Sequence, residues 1–216
     1  MGPARGRPGR GTAPALAQPG RDRPRRDAPH PPGLGGPSVK ETPAEAAAIL
    51  AKGSEALDAA FSKLSADAAE ARGTIGGGTW SARDLAGHLA TWEEVALRTI
   101  EEVRAGRPPS IRTTITDEAS LDLFNAAEVE RKASTGWEEA LTNFRATNTR
   151  LVATVRAIPD DEWRQVAPSA EGHRARTLGE EVGSSTGMPE HPFRHAWAHL
   201  GDLQALVQAV TEGPQA

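Results

Sequence analysis

The sequence contains no cysteine and no tyrosine, and these absences exclude several kinds of chemistry. Without cysteine there is no disulfide framework, no thiolate nucleophile and no sulfur-ligated zinc or iron–sulfur centre. Without tyrosine no phenol can act as an acid or a base. Any reaction must therefore depend on His, Asp, Glu, Lys, Ser or Thr, and any metal ion must be held by nitrogen and oxygen ligands.

Long apolar runs are also absent from the sequence. No run is long enough for a transmembrane helix, which needs about 18 or more apolar residues. The N-terminus is rich in arginine but lacks the apolar segment of a secretory signal. We therefore expect a cytoplasmic protein that does not enter a membrane.

Charge is distributed unevenly along the 216 residues, which hold 25 Lys+Arg and 29 Asp+Glu, a net charge of -4. Residues 1–40 hold 8 of the basic and 2 of the acidic residues, and 9 of the 17 prolines, so 17 basic and 27 acidic residues remain for 41–216. This composition predicts a disordered Arg/Pro/Gly-rich tail over 1–40 and a single acidic domain over 41–216. Nucleic acid is not an expected partner, because the domain carries a net charge of -10.

Apolar residues in the domain repeat at intervals of three and four, which predicts amphipathic helices. The expected helices are one from about 43 to 70 that begins at Thr42-Pro43-Ala44-Glu45, one from Ser81 to about Gly106, one that a Thr135–Glu138 capping box opens and Pro159 ends, and one from Thr177 to Val210 that Pro189 and Pro192 interrupt. Residues 110–134 are ambiguous: Thr116-Asp117-Glu118 is a candidate helix start, but few apolar residues follow it. Residues 160–176 have the composition of a loop with room for one helical turn. With no strand pattern, the sequence predicts an all-α four-helix bundle.

Three histidines lie on apolar helix faces. His195 and His199 are four residues apart, one turn of helix, which is the spacing at which two imidazoles can share a metal ion. His88 lies on the stripe of the second helix. A buried imidazole without a partner costs about 1 to 3 kcal/mol, so each ring either bonds to a neighbouring polar group or binds a metal. Three imidazoles suit zinc, nickel, iron or copper and leave an open coordination position.

Four further residues are weaker candidates, and each has two interpretations. Trp92 is one turn beyond His88 and either lines a pocket or packs in the core. Asn148 faces inward and either contacts substrate or bonds to a neighbour. Asp202 either orients a ligand imidazole or is an exposed helix acid. His191 is either a fourth ligand or a residue at the helix start or the pocket rim.

Three segments carry a family resemblance. The segment TWSARDLAGHLATWEE, residues 79–94, resembles the second helix of the DinB-like four-helix-bundle superfamily, particularly its ClbS/DfsB-type members. The run FRATNTRLVATVRAIPDDEW, 144–163, and HAWAHLGDL, 195–203, are similar to its third helix with the following turn and to its last helix. The resemblance spans about 43–210 and implies a metal triad of His88, His195 and His199. Glu93 belongs to the family-like Trp-Glu pair but lies about 140° around the helix from His88.

The resemblance also implies a range of activities. The superfamily includes S-transferases and isomerases that use a low-molecular-weight thiol, and self-resistance proteins that open a reactive ring in a genotoxic product. We therefore expect a metal-dependent transferase, isomerase or hydrolase that uses one divalent ion (zinc, nickel or iron), and a thiol in the thiol-dependent case, on a small electrophilic metabolite. The alternative is a non-catalytic bundle that sequesters a toxic metabolite. Which groups act in catalysis, and whether the protein is a homodimer, stay open.

The chain departs from the family pattern at Pro189 and Pro192, which interrupt the usually continuous last helix just before His195. The prolines would either move the turn that carries the ligands or kink the helix at the pocket mouth.

Overall fold

The structure, a computed structural model, describes residues 39–76, 78–188 and 190–212. The tail predicted over 1–40 lies outside these residues except for its last two. The described chain forms α1 (Pro43–Phe61), α2 (Ala66–Glu70), α3 (Ala82–Arg104), α4 (Ile111–Thr114), α5 (Glu118–Arg131), α6 (Trp137–Arg156), α7 (Asp160–Arg164), α8 (Leu178–Ser185) and α9 (His195–Glu212). Within the same residues, β pairing is limited to three isolated bridges. The all-α prediction is confirmed.

Four long helices, α1, α3, α6 and α9, form the bundle. Helix α6 packs against both α1 and α3, and α9 packs mainly against α1. Helix α8 covers another part of α3. Leu206, near the end of α9, lies in the same core cluster as Leu85 at the start of α3. Phe193, just before α9, lies in the other cluster with Ile100 from the later part of α3. Helices α3 and α9 therefore run antiparallel. The predicted four-helix bundle is therefore present.

Two of the predicted helix starts are confirmed in atomic detail. The Thr42 hydroxyl accepts a hydrogen bond from the Glu45 N–H, and the Glu45 carboxylate accepts one from the Thr42 N–H. Ser81 and Asp84 form the same reciprocal capping box at the start of α3. Each box satisfies donors that the first helical turn leaves without partners.

The helix predicted over 43–70 is divided in the structure. Helix α1 ends at Phe61, and the Ser65 hydroxyl accepts from the Ala68 N–H to begin α2. Serine hydroxyls compete for backbone groups, which favours a helix start over a helix interior. The hydrophobic period continues through Leu64, which is buried, so periodicity alone did not reveal the break.

The capping box predicted at Thr135 is wrong. Gly136 is the N-cap of α6, and no side chain of the cap bonds to the first turn. The Glu70 carboxylate, from α2, accepts the Trp137 N–H at 3.0 Å instead. The ambiguous segment 110–134 contains α4 and α5, and α5 begins at Glu118 with Asp117 as its N-cap, at the candidate start. The segment 160–176 contains one short helix, α7.

A polar layer divides the apolar core into two clusters. One cluster contains Leu57, Phe61, Leu85, Leu89, Trp137, Phe144 and Leu203, and the other Leu50, Leu97, Ile100, Leu151, Trp163, Leu178 and Phe193. On each of three helices a buried polar residue falls between members of the two clusters: Ser54 on α1, Glu93 on α3 and Asn148 on α6. On α9 only Leu203 and Leu206 are buried, and Val210, the last residue of the predicted helix, is 45% exposed.

Among the helices that the structure describes, none combines the length and the apolar character needed to cross a membrane.

Candidate metal centre

Helix α3 positions the first of the three histidines. His88 lies in the second turn after the Ser81–Asp84 capping box, and its side chain is buried. The loop before α3 folds back on itself, because the Thr74 and Ile75 N–H groups both donate to the Trp80 carbonyl oxygen. This loop places the Trp80 indole 4.7 Å from the His88 imidazole, centroid to centroid. The ring of His88 is therefore in contact with the loop before α3 as well as with α9.

Helix α9 positions the other two histidines. His195 is its first residue, and its N–H donates to the Thr186 carbonyl oxygen at 2.9 Å, which joins the start of α9 to the end of α8. His199 follows one turn later on the same face. Both residues are partly buried, whereas His88 is buried.

The three imidazoles converge through one nitrogen each. The Nε2 atom of His195 lies 3.1 Å from the Nε2 of His88 and 3.1 Å from the Nε2 of His199. All three ligand atoms lie within 4.8 Å of one another. Nitrogens bound 2.0 to 2.1 Å from a tetrahedral zinc ion are about 3.3 Å apart, so the two short separations match the edges of such a site. The cluster could hold a metal ion.

Hydrogen bonding alone accounts poorly for this arrangement. A ring nitrogen of a neutral imidazole carries either one hydrogen or one lone pair. The Nε2 of His195 can therefore complete a hydrogen bond with only one of its two neighbours, which leaves the other short contact unsatisfied. A metal ion accepts a lone pair from all three nitrogens, so the donor set fits a metal better than it fits a hydrogen-bonded cluster.

Burial keeps the imidazoles of His88 and His195 neutral. It lowers the pKa of His88 well below its usual range, and the positive charges that His195 and His199 would carry lower it further. Burial also lowers the pKa of His195 to about 3, with His199 contributing next. A neutral ring has the free lone pair that a metal ligand requires, so protons compete weakly for these two positions near neutral pH.

Aromatic side chains surround the cluster on the α5 side. Trp92, predicted as a pocket residue, lies 6.3 Å from His195 and 6.4 Å from His88 between ring centroids. Its Nε1–H donates to the Asn125 side-chain oxygen at 3.1 Å, and its ring packs edge to face against Phe124. Trp92 thus lies beside the histidines, where the sequence placed it, and its role toward substrate stays a prediction.

A cleft of about 340 Å³ lies between α3, α4 and α5, behind this aromatic wall. Phe124 lines the cleft on one side and contacts Trp92 on the other. Polar and charged groups from α3, including Thr91 and Arg98, form the opposite wall. The rings of Phe124 and Trp92 separate this polar cleft from the histidine cluster.

Asn148 bonds to a neighbour, which is one of its two interpretations. Its side-chain N–H donates to Glu93 Oε1 at 2.6 Å within the core. The other oxygen, Glu93 Oε2, is buried and has no hydrogen-bond partner among the described residues. Burial raises the pKa of Glu93 to about 8. The sequence did not assign Glu93, since the 140° offset from His88 correctly separated it from the histidine face but gave no sign of its partner.

The two remaining candidates lie at the edge of the site. Asp202 is partly buried on α9, three residues after His199, and an orienting role for it stays a prediction. His191 is exposed and lies outside the group of three converging histidines. Its backbone pairs with Met188 in an isolated bridge, so His191 lies in the turn before α9, which begins at His195, and not at the helix start. Trp80 is the neighbour of His88 that the sequence did not assign, although it lies in the family-like segment.

Fold and site together define a four-helix-bundle protein with a three-histidine candidate metal centre between two of its helices. The family model of the DinB superfamily matches residues 54–203, and the chain belongs to that superfamily. No curated protein matches the sequence.

Solved structures share the fold. An uncharacterised protein from Escherichia coli UTI89 superposes with a TM-score of 0.64 at 18% identity, over 80% of this chain and 96% of that one. The colibactin self-resistance protein ClbS, solved in complex with a double-stranded DNA, gives a TM-score of 0.60 at 18% identity, over 77% of this chain and 98% of its own. At this identity the likeness concerns the fold alone.

Proposed function

We propose that the protein is a metal-dependent enzyme that acts on a small electrophilic metabolite, as a thiol S-transferase or isomerase or as a hydrolase. The observation that carries the proposal is the convergence of the Nε2 atoms of His88, His195 and His199. These three residues would hold one divalent ion, zinc, nickel or iron. An ion with three protein ligands and an open position supplies Lewis-acid activation of a thiol, a water or a carbonyl oxygen.

The side chains divide the remaining tasks between them. His88 is buried, whereas His195 and His199 are partly exposed, so substrate and thiol approach from the α9 side. Trp92 and Trp80 both lie against His88 and would exclude water from the part of the cluster around this ring. We place the apolar part of the substrate against Trp92, whose indole is fixed by its hydrogen bond to Asn125.

DNA is not part of the proposal, although ClbS was solved with a double-stranded DNA. Residues 41–216 carry a net charge of -10, which opposes contact with phosphates. A small molecule is the proposed partner, and roles in self-resistance or in natural-product tailoring are both compatible with this chemistry.

Metal analysis followed by a turnover screen tests the proposal. The protein expressed with added metal should contain about one equivalent, and His88→Ala should contain almost none. His173→Ala is the matched control, because His173 lies in the loop between α7 and α8 and outside the converging group. A screen of thiols with electrophiles should then detect turnover in the wild type and the control but not in His199→Ala.

Two outcomes would contradict the proposal. Wild-type protein without metal would remove the proposed centre. Turnover that survives in His199→Ala would show that the reaction occurs elsewhere. Bound metabolite without turnover would favour the alternative, a non-catalytic bundle that sequesters its ligand.

A further inference from the structure

The connection between α8 and α9 contains a strained residue, Phe193, two positions before His195. Its φ is 63°, in the left-handed region, and it is the one non-glycine residue of the described chain with a positive φ. A bulky side chain disfavours this conformation, which persists only where the surrounding structure enforces it.

The side chain of Phe193 supplies one part of that enforcement. The ring is 1% exposed and stacks on Trp163 with 5.9 Å between centroids. It belongs to the core cluster that also contains Leu178 and Val182 of α8. Gly183 gives it room, because a Cβ there would lie 3.2 Å from the Phe193 ring and 2.9 Å from Pro192. Packing of the Phe193 ring therefore holds the connection against α8.

The backbone on either side of Phe193 supplies the second part. Met188 and His191 exchange N–H···O hydrogen bonds of 3.1 and 2.9 Å, which closes a tight turn. Gly187 packs against this turn so closely that a Cβ would overlap the His191 carbonyl oxygen and approach the Phe193 nitrogen to 2.6 Å. Pro192 lies in this connection, while Pro189 lies outside the described residues. The connection therefore separates two helices, α8 and α9, and does not kink one continuous helix. We call its residues Gly187, Met188 and 191–193 the clip.

The start of α9 depends on this clip. The His195 N–H bonds to the Thr186 carbonyl oxygen, and the next helical bond runs from Ala198 N–H to the Arg194 carbonyl oxygen. If the sequence shifted by one residue along the axis of α9, every side chain of the helix would turn by 100°. A change of one residue would carry the imidazoles of His195 and His199 away from His88.

We propose that Phe193 is a positioning residue for the histidine cluster: its buried ring and left-handed backbone fix where α9 begins and so direct the imidazoles of His195 and His199 toward His88. This proposal rests on the proposed metal centre for its effect on metal affinity. Its structural part, the fixed start of α9, can be tested without metal.

The test compares Phe193→Ala with Ile158→Ala. Ile158 is buried in the same cluster, but it belongs to the segment after α6. Both variants lose core packing, and only Phe193→Ala loses the ring that holds the connection before His195. In a cobalt(II) titration of the full-length protein, we expect Phe193→Ala to bind at least about tenfold more weakly than Ile158→Ala, with an altered visible spectrum. Phe193→Leu, which keeps an apolar side chain, should recover most of the affinity.

Amide hydrogen exchange of the metal-free protein supplies the second measurement. In Phe193→Ala the amides of His195 and Ala198 should exchange at least about tenfold faster relative to those of Leu203 and Leu206 in the same helix. In Ile158→Ala the four amides should change together. Gly187→Ala, whose Cβ would clash with the backbone of His191 and Phe193, should reproduce the Phe193→Ala pattern.

Each result decides the proposal. If Phe193→Ala and Ile158→Ala have equal cobalt affinity and equal exchange patterns, the ring is only core packing and the proposal is wrong. If the wild type binds no metal but Phe193→Ala selectively frees the start of α9, the proposed metal function fails and the positioning role stands. If Phe193→Ala does not fold, Phe193→Leu and Gly187→Ala decide by the same exchange comparison.

Discussion

Among the residues that the structure describes, Glu93 has a buried carboxyl oxygen without a hydrogen-bond partner. Its carboxyl is buried in the polar layer, one oxygen accepts from Asn148 and the other has no partner in the described structure. Burial raises its pKa to about 8, the Asn148 hydrogen bond opposes the rise and the charge of Glu94 adds to it. The carboxyl is therefore mostly protonated in the folded protein at neutral pH.

We predict that this carboxyl makes stability depend on pH. In the unfolded chain Glu93 ionises near the ordinary glutamate pKa of 4.5, whereas in the folded protein it keeps its proton up to about pH 8. The contribution of Glu93 to the free energy of unfolding is complete below pH 4.5 and is lost as the pH rises to 8. The loss is on the order of 3 to 5 kcal/mol. Urea unfolding of Glu93→Gln across this range should show a flatter dependence than the wild type.

Ser54→Ala is the matched control for Glu93→Gln. It removes another polar group of the same layer but leaves the carboxyl in place, so the pH dependence of the wild type should remain. A Glu93→Gln protein whose unfolding free energy follows the wild-type pH curve would contradict the raised pKa.

Between elements, helices α1 and α9 pack so closely at Gly53 that a larger residue there would clash with α9. A Cβ on Gly53 would lie 2.9 Å from Ala196 Cβ and 3.0 Å from Trp197 Nε1. Both of these residues lie between His195 and His199 in the chain. The absence of a side chain at position 53 therefore fixes how closely the histidine helix approaches the bundle.

We predict that Gly53→Ala destabilises the protein by about 1 to 3 kcal/mol, because α9 must move away from α1. Gly201→Ala on α9 is the control, since its Cβ would meet no atom within 4 Å and should change stability by about 1 kcal/mol or less. Chemical denaturation measures both. Equal stability of the two variants would show that the approach of α1 to α9 is not tight.

The sequence predicted elements best where the signal is local. Thr42 with Glu45 and Ser81 with Asp84 lie three residues apart, and both helix starts were confirmed. The start of α6 was misjudged because the group that accepts the Trp137 N–H is the carboxylate of Glu70, 67 residues earlier in the chain. No local sequence pattern reveals such a partner. The break after Phe61 was missed because the hydrophobic period continues across it.

The site was predictable in part for the same reason. Helical spacing places His195 and His199 on one face, but their meeting with His88 depends on the antiparallel contact of α3 with α9. The apolar stripe of α3 brought His88 into the predicted site as a third inward imidazole, and the family resemblance implied the same triad. The positions of Trp80 beside His88 and of Glu93 beside Asn148 depend on tertiary packing and required the structure.

For the whole molecule, a metal ion would link α3 to α9 and stabilise the bundle. Ligand at a concentration 100 times its Kd stabilises the folded state by about 2.7 kcal/mol. We predict that a chelator lowers the melting temperature by about 5 to 10 °C and that added zinc restores it. The His199→Ala protein should respond to neither treatment, and an unaltered melting temperature in the wild type would contradict the link.

The central claim is that one metal ion is shared by the three histidines, and X-ray absorption at the edge of the bound metal tests it most directly. The account predicts three imidazole nitrogens at about 2.0 to 2.1 Å in the wild type, fewer imidazoles in His88→Ala, and an unchanged spectrum in His173→Ala. A wild-type spectrum without imidazole ligands, or one that His88→Ala leaves unaltered, would contradict it.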